Sequence, residues 1–307
     1  MQQFSALQEA NIDSAWLSIG AFDGVHHGHQ QLLQSFKEGA KKAGESAVVL
    51  TFFPHPIEIL KGAQDSYYLS DPEEKAEQIA RTGIDVLIVH SFDKEFSMIG
   101  AEDFLTLLKQ HTGFSELWVG HDFALGHNRE GDIAYLAKQQ DQFDFRLHVT
   151  DAIEIEDDVV SSSRIRKMLE AGEVKGAAQY LGRPYDLRGE VVEGAKRGRT
   201  LGIPTANLAV WPKRVAPLNG VYACRAWLGE KSWSAVTNIG LRPTFEEHLQ
   251  APVVEAHLLD YVGEEFYGQT LKLQFLERLR GERKFDGVEA LMQQIEIDIV
   301  RAREILA

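Results

Sequence analysis

Three histidines fall within four residues in "GAFDGVHHGHQQLL" (Gly20–Leu33): His26, His27 and His29. Gly20, Gly24 and Gly28 recur every four residues through the same stretch. Glycine lets the backbone turn tightly and lets an anion approach it. The stretch links an apolar run to a helical pattern, so it opens on a helix N-terminus, whose free N–H groups and partial positive charge suit phosphate. On one helical turn His26 and His29 share a face. Their ring N–H groups could follow negative charge onto a pentacoordinate phosphorus. A solvated glycine-rich turn or a metal pair would use the same residues, but no nearby Cys or Glu completes a ligand set.

Other groups capable of chemistry are spread along the chain. Ser161, Ser162 and Ser163 stand at a helix start, with Arg166 one turn on to add a charged fork. Phe52, Phe53 and Pro54 end an apolar run, where aromatics can stack a ring or simply fill a core. Asp122 and Arg129 lie on a glycine-rich loop. In "GRTLGIPTANL" (Gly198–Leu208), Thr205 and Asn207 point the same way if the segment is a strand. A hydroxyl and an amide oxygen side by side are hard oxygen ligands that could hold a hydrated divalent cation, or they are simply the polar face of a barrel strand. In "VVEAHLLDY" (Val253–Tyr261), Glu255, His257 and Leu259 alternate with Ala256 and Leu258. "KRGR" (Lys196–Arg199) reads as a basic hairpin tip, either a solvated turn or a flap over bound phosphates.

The elements that position these residues fall into two styles. Up to about residue 150, apolar strands alternate with helical patterns: Ala15–Phe22, Ala47–Phe53, Ile84–His90, Ser115–Gly120 and Phe143–Val149 are strands. Asp71 caps a helix with Pro72 at its first position, and Gly83 ends it. Such alternation predicts a Rossmann-like α/β domain, a parallel sheet with helices on both faces. A helical stretch follows Ser161. Then six short segments separated by Gly and Pro predict an antiparallel β-barrel. A final helix carries the apolar stripe Val288, Leu291, Met292, Ile295, Ile299 and Ala302. The boundary is expected near Gly182–Pro184, giving domains 1–182 and 183–307.

"GAFDGVHHGH" resembles the nucleotidylyltransferase superfamily, whose signature is H-x-G-H after the first strand. "VSSSRIR" (Val160–Arg166) is similar to its second signature, I-S-S-T-x-I-R, with Ser163 in place of Thr. The longer match is to the bacterial bifunctional riboflavin kinase/FMN adenylyltransferases, and it runs through almost the whole chain. "TFFPHP" (Thr51–Pro56), "GHDFALGHNREG" (Gly120–Gly131), "PTAN", "NIGLRPTF" (Asn238–Phe245) and "LRGERKF" (Leu279–Phe285) resemble that family's motifs. His27 and Leu125 depart from its pattern.

The resemblance implies two ATP-dependent transfers, riboflavin to FMN in the barrel and FMN to FAD in the first domain. It implies His26, His29 and Arg166 as catalytic in the second transfer and Glu255 as general base in the first. It implies nucleotide and flavin contacts from Gly20, Phe22, Asp23, Gly24, Gly28, Phe52, Pro54, Asp122, Arg129 and the three serines. In the barrel it implies such contacts from Gly198, Arg199, Gly202, Pro204 and Arg280, with Thr205 and Asn207 holding Mg²⁺. A transferase for another phosphate and a flavin-binding module without turnover are the alternatives. "PTAN" followed by "EAHLLD" argues against the first, and retention of His29, Thr205, Asn207 and Glu255 argues against the second.

Bulk properties narrow the partners. A formal net charge of −14 disfavours nucleic acid and anionic membrane. There is no P-loop signature, so the kinase chemistry is not of that type. No apolar run reaches the ~18 residues of a membrane span. The single cysteine, Cys224, can form no internal disulfide and fits a reducing compartment. A cytoplasmic protein is expected, with oligomeric state open.

Overall fold

The computed structural model describes residues 1–62, 66–156, 158–194, 202–241 and 252–307. The chain divides into two compact units, Met1–Gln64 with Ser70–Ser161, and Asp65–Leu69 with Ser162–Ala307.

The first unit is built on β1 (Gln2–Phe4), β2 (Ala15–Ile19), β3 (Ser46–Phe53), β4 (Val86–Ser91) and β5 (Phe114–Gly120). Two short strands, β6 (Ala124–Leu125) and β7 (Gly131–Asp132), pair within the loop after β5, and β8 (Arg146–Thr150) follows. The main sheet runs β1-β4-β3-β2-β5-β8, and every pairing is parallel. The chain adds strands outward from β2 to β4, then returns to place β5 on the other side of β2. The crevice at the carboxyl end of β2 is therefore the switch point where open α/β sheets bind ligands.

Side-chain alternation along β3 shows why both faces are covered. Ala47 and Val49 pack with Leu33 and Phe36 of α1 (His27–Ala43) and Ile79 of α3 (Pro72–Arg81). Val48, Leu50 and Phe52 pack with Phe104, Leu105 and Leu108 of α4 (Ala101–Thr112) and Leu136 of α5 (Ile133–Phe143). A short α2 (Pro56–Lys61) follows β3. Asp71 caps α3 as anticipated, in a reciprocal capping box with Glu74. β1 has no signal in the sequence because three residues are too short to show a period. β2 stops at Ile19, not Phe22, because residues 20–26 are taken up by the turn.

After a hairpin of β9 (Glu154–Ile155) and β10 (Asp158–Val159), the second unit opens with α6 (Ser162–Glu170) and α7 (Val174–Leu181). Its six strands are β11 (Tyr185–Val192), β12 (Ala206–Val210), β13 (Gly220–Leu228), β14 (Lys231–Leu241), β15 (Pro252–Leu258) and β16 (Thr270–Arg280). They close into a barrel, β11-β12-β15-β14-β13-β16, with every pairing antiparallel. The division by packing falls at Ser161/Ser162, ahead of the expected 182/183, because α6 and α7 pack on the barrel side. Leu218 N–H donates to Leu169 O at 2.8 Å, and Lys175 pairs with Glu277 of β16.

The last helix, α8 (Val288–Leu306), seats Ala302 and Leu306 against Val221, Ala223 and Leu279. Val288, expected on the docked stripe, is 58% exposed, and Asp298 is buried instead. Asp298 binds Arg280, which explains a carboxylate on an apolar face. Cys224 is fully buried on β13, and burial pushes its thiol up to about 12, so it is inert.

Candidate active sites in the two units

The turn after β2 is forced into uncommon backbone. Phe22 (φ 47°), Gly24 (φ 75°) and Val25 (φ 38°) all lie in the left-handed region, which a β-branched residue such as Val25 rarely adopts. Such outliers persist only where surroundings over-determine them. Here the surroundings are burial of Phe22 and Val25 in the core, plus two bonds to Ser70: Gly24 N–H donates to its Oγ at 3.2 Å, and its N–H donates to Asp23 Oδ1 at 3.3 Å. Phe22 and Asp23 are thus buried, so they shape the turn from beneath.

The turn delivers two imidazoles to the start of α1. His26 is the N-cap, its Nδ1 accepting the His29 N–H at 3.3 Å. An accepting Nδ1 leaves the ring hydrogen on Nε2. The two rings stack with centroids 3.6 Å apart and 15° between planes, and Phe22 meets His29 edge-on at 5.1 Å. A Cβ at Gly28 would lie 3.2 Å from His26 Cε1, so glycine there makes room for the imidazole stack. His29 Nδ1 is shut from solvent with no hydrogen-bond partner among the described residues. Burial holds the His29 imidazole well below the usual histidine range, helped by the neighbouring His26 and Lys75. His29 is therefore a neutral hydrogen-bonding group with a buried polar atom awaiting a partner. His27 is exposed.

Three loops meet this crevice from adjacent strands β2, β3 and β5. Pro54, half-buried, follows β3, whereas Phe52 lies in the core against Phe92 and Phe96. Of the two readings the sequence leaves open for Phe52, a ring stack or the core, strand alternation turns it into the core. Leu125 is likewise a core residue at 5% exposure. On the loop after β5, Asp122 and Arg129 are exposed, and Arg129 Nη2 donates to Asp122 O at 2.6 Å. Ser161 ends the first unit. Ser162, Ser163 and Arg166 open the second, where Arg166 is buried, donates from Nε to Tyr67 O at 2.6 Å and lies 3.7 Å over the Tyr67 ring.

In the barrel, alternation separates core from chemistry. Ala206 and Leu208 of β12, and Val254, Ala256 and Leu258 of β15, are buried. Thr205, Asn207, Glu255 and His257 are half-exposed between them. Leu259, expected with Glu255, is buried, because β15 ends at Leu258. Register places Asn207 and Asn238 directly opposite Glu255 on its two neighbouring strands. Opposed Cβ atoms are about 5 Å apart, so the three polar groups form one row. Asn238 was missed; its period-2 position in "TNIG" was the available signal. A Cβ at Gly194 would lie 2.1 Å from Asn207 Nδ2, so that glycine is the space the amide occupies.

A cavity of about 470 Å³ opens beside Thr205, lined also by His257, Asp260, Tyr261 and Phe266. His257 Nδ1 donates to Pro204 O at 2.8 Å and fixes its edge. Arg280, expected on a flavin, is spent on Asp298 at 2.9 Å. Gly202 and Pro204 are exposed, while Gly198 and Arg199 lie outside the described residues.

Two domain families match this chain in the same order as the two sites: FAD synthetase over residues 8–164 and riboflavin kinase over residues 181–306. The bifunctional riboflavin kinase/FMN adenylyltransferase of Bacillus subtilis is 35% identical over 286 residues, covering 92% of this chain and 89% of its own. The chain belongs to this bifunctional family. The Escherichia coli K12 relative is also 35% identical, over 97% of this chain and 95% of its own. A solved Streptococcus pneumoniae chain described as a macrolide-efflux protein matches with a TM-score of 0.88 and 28% identity, over 98% of both chains. The FAD synthetase domain thus carries the imidazole turn, and the riboflavin kinase domain carries the Asn207–Glu255 row. Family membership makes the chain an ATP-using kinase and adenylyltransferase. Among the described residues no helix is long and apolar enough to cross a membrane.

Proposed function

We propose that the two sites act in sequence on one flavin. In the riboflavin kinase domain, Glu255 accepts the proton of the riboflavin 5′-hydroxyl. The hydroxyl oxygen bonds to the γ-phosphorus of ATP, the bond to the bridging oxygen breaks, and ADP leaves with FMN formed. Thr205 and Asn207 supply two neutral oxygens on the solvent face, and the gap at Gly194 holds the amide in place. That donor set fits Mg²⁺ carrying water and phosphate as its other ligands. It does not suit zinc: among the described residues no three His, Cys, Asp or Glu side chains cluster. When bound, Mg²⁺ neutralises charge on the triphosphate. The cavity beside Thr205, with its aromatic wall, suits the nucleotide end of ATP.

In the FAD synthetase domain, the FMN phosphate is already an anion and needs no base. One of its oxygens bonds to the α-phosphorus of a second ATP, and the bond to the β-phosphate oxygen breaks, releasing pyrophosphate. His26 and His29 donate hydrogen bonds to the charge that develops, His29 as a neutral imidazole. The α1 N-terminus adds its partial positive charge. Asp122 and Arg129 contribute from the loop after β5. Reducing-compartment chemistry and the acidic surface favour a cytoplasmic enzyme with small-molecule partners, not nucleic acid.

The observation that carries this reading is the stacked His26–His29 pair at the switch point, with an orphaned His29 nitrogen. Incubation with riboflavin, ATP and Mg²⁺, with flavins separated by chromatography, is expected to yield FMN first and FAD later. Riboflavin bound tightly but unchanged would sink it.

A further inference from the structure

The helix α3 has a lysine where a solvated residue is expected. Lys75, on the first turn of α3, is 6% exposed. Its ammonium has three hydrogens and meets three acceptors: Ala21 O at 3.3 Å, Thr51 Oγ1 at 3.1 Å and Phe52 O at 3.0 Å. Thr51 Oγ1 in turn donates to Ala21 O at 3.1 Å. Ala21 opens the phosphate turn, and Phe52 lies at the end of β3, two residues before Pro54. One buried cation therefore ties the turn that carries the imidazoles to the end of β3. Ser70, at the entry to the same helix, grips the turn again at Asp23 and Gly24.

The ammonium is fully used, so it has no hydrogen left for substrate. Its influence is geometric and electrostatic. The turn it holds contains Phe22 and Val25 in strained backbone, which needs external restraint to persist. Burial pulls the Lys75 ammonium down to about 8, and the Asp23 carboxylate opposes that shift. Lys75 in turn helps depress His29. Charged or titratable neighbours are thus Asp23 on the turn, His29 on α1 and Glu74 beside it on α3; β3 offers neutral acceptors.

Resting on the reading that this domain adenylylates FMN, we propose that Lys75 is a positioning residue for that transfer. Its charged ammonium clamps the phosphate turn to the end of β3, and loss of the charge releases the clamp and sets the alkaline limit of FAD formation. A neutral amine keeps two donors where three acceptors need filling.

The test compares the full chain with Lys75→Met and Asp23→Asn, measuring FAD formation from added FMN between about pH 6 and the ordinary lysine range near pH 10. Riboflavin phosphorylation by the same chains is followed in parallel. The unsubstituted chain is expected to lose FAD formation on an alkaline limb near pH 8 that riboflavin phosphorylation lacks. Lys75→Met is expected to cut kcat roughly tenfold to a hundredfold, the scale of a small misplacement of reacting groups, and to abolish the limb. Asp23→Asn removes the carboxylate that keeps the ammonium charged, so its limb is expected at lower pH. Lys75→Met with an unchanged limb, or with kcat within about twofold, overturns the proposal. If Lys75→Met does not fold, the Asp23→Asn limb decides alone, and an unmoved limb overturns it. Failure of the unsubstituted chain to make FAD at any pH instead removes the underlying reading.

Discussion

The two proposed sites face the same problem, holding ATP and a flavin in line, with different materials. The riboflavin kinase site is written on strand register. Asn207, Glu255 and Asn238 stand in a row because three antiparallel strands align them, and each is half-exposed. The FAD synthetase site is written on a strained turn, with titratable groups driven into the protein. His29 and Lys75 are both depressed by burial. A register site tolerates water and relies on its side chains being the right type. A buried turn relies on its neighbours, and its chemistry inherits their protonation.

The sharpest way to separate the two is Glu255→Gln. Removing the proposed base is expected to lower riboflavin phosphorylation about 10²- to 10⁴-fold, while added FMN is still converted to FAD. Equal damage to both steps, read by flavin chromatography, would break the two-site comparison. His29→Ala is the reciprocal change. FAD formation should fall roughly 10²-fold, the cost of one donor to developing charge, and FMN should accumulate. Kinase turnover in that variant checks that the barrel is intact.

A smaller effect tests register. Gly194→Ala drives a Cβ into the Asn207 amide, 2.1 Å from Nδ2. The Mg²⁺ concentration for half-maximal riboflavin phosphorylation should rise about tenfold, with the requirement for FAD formation unmoved; tenfold is the effect of about 1.4 kcal/mol on a binding constant. No rise would remove Asn207 from the metal.

The smallest effect concerns pH and stability of the buried-turn unit. His90 Nδ1 accepts the Leu7 N–H at 3.1 Å, and burial lowers its pKa, partly offset by Asp93. The neutral ring is the folded form, so its contribution is complete above the unfolded value of about 6.5 and is lost as pH falls toward the folded value. Thermal melts of the first unit should shift down on acidification through that window, and less so in His90→Asn. An identical acid slope in both proteins would assign the loss elsewhere.

How much of this was legible differs between the sites for a physical reason. A strand's period of two makes the outward face of "TAN" and "EAH" readable, so Thr205, Asn207 and Glu255 could be placed without coordinates. The H-x-G-H turn was readable as a candidate phosphate site from residue type and spacing, and the fold places it at the sheet's switch point. Phe52 was read as a ring-stacking candidate because an aromatic at a strand end looks the same whether it faces ligand or core. Arg280 looked free because its partner, Asp298, sits eighteen residues on, within what reads as an apolar helical stripe. Lys75 escaped notice because "DPEEKAEQ" has the pattern of a solvated helix start.

By itself, then, the order of residues determined which side chains could do chemistry, which strands would alternate, and that one half is α/β and the other a barrel. Those properties are local, set by side-chain type and backbone period. Only the tertiary structure decided which ionisable groups are buried and what they touch: His29 neutral, Lys75 clamped on three oxygens, Asp298 neutralised by Arg280. Protonation depends on desolvation and on charges brought close from distant positions, and neither exists until the chain has folded.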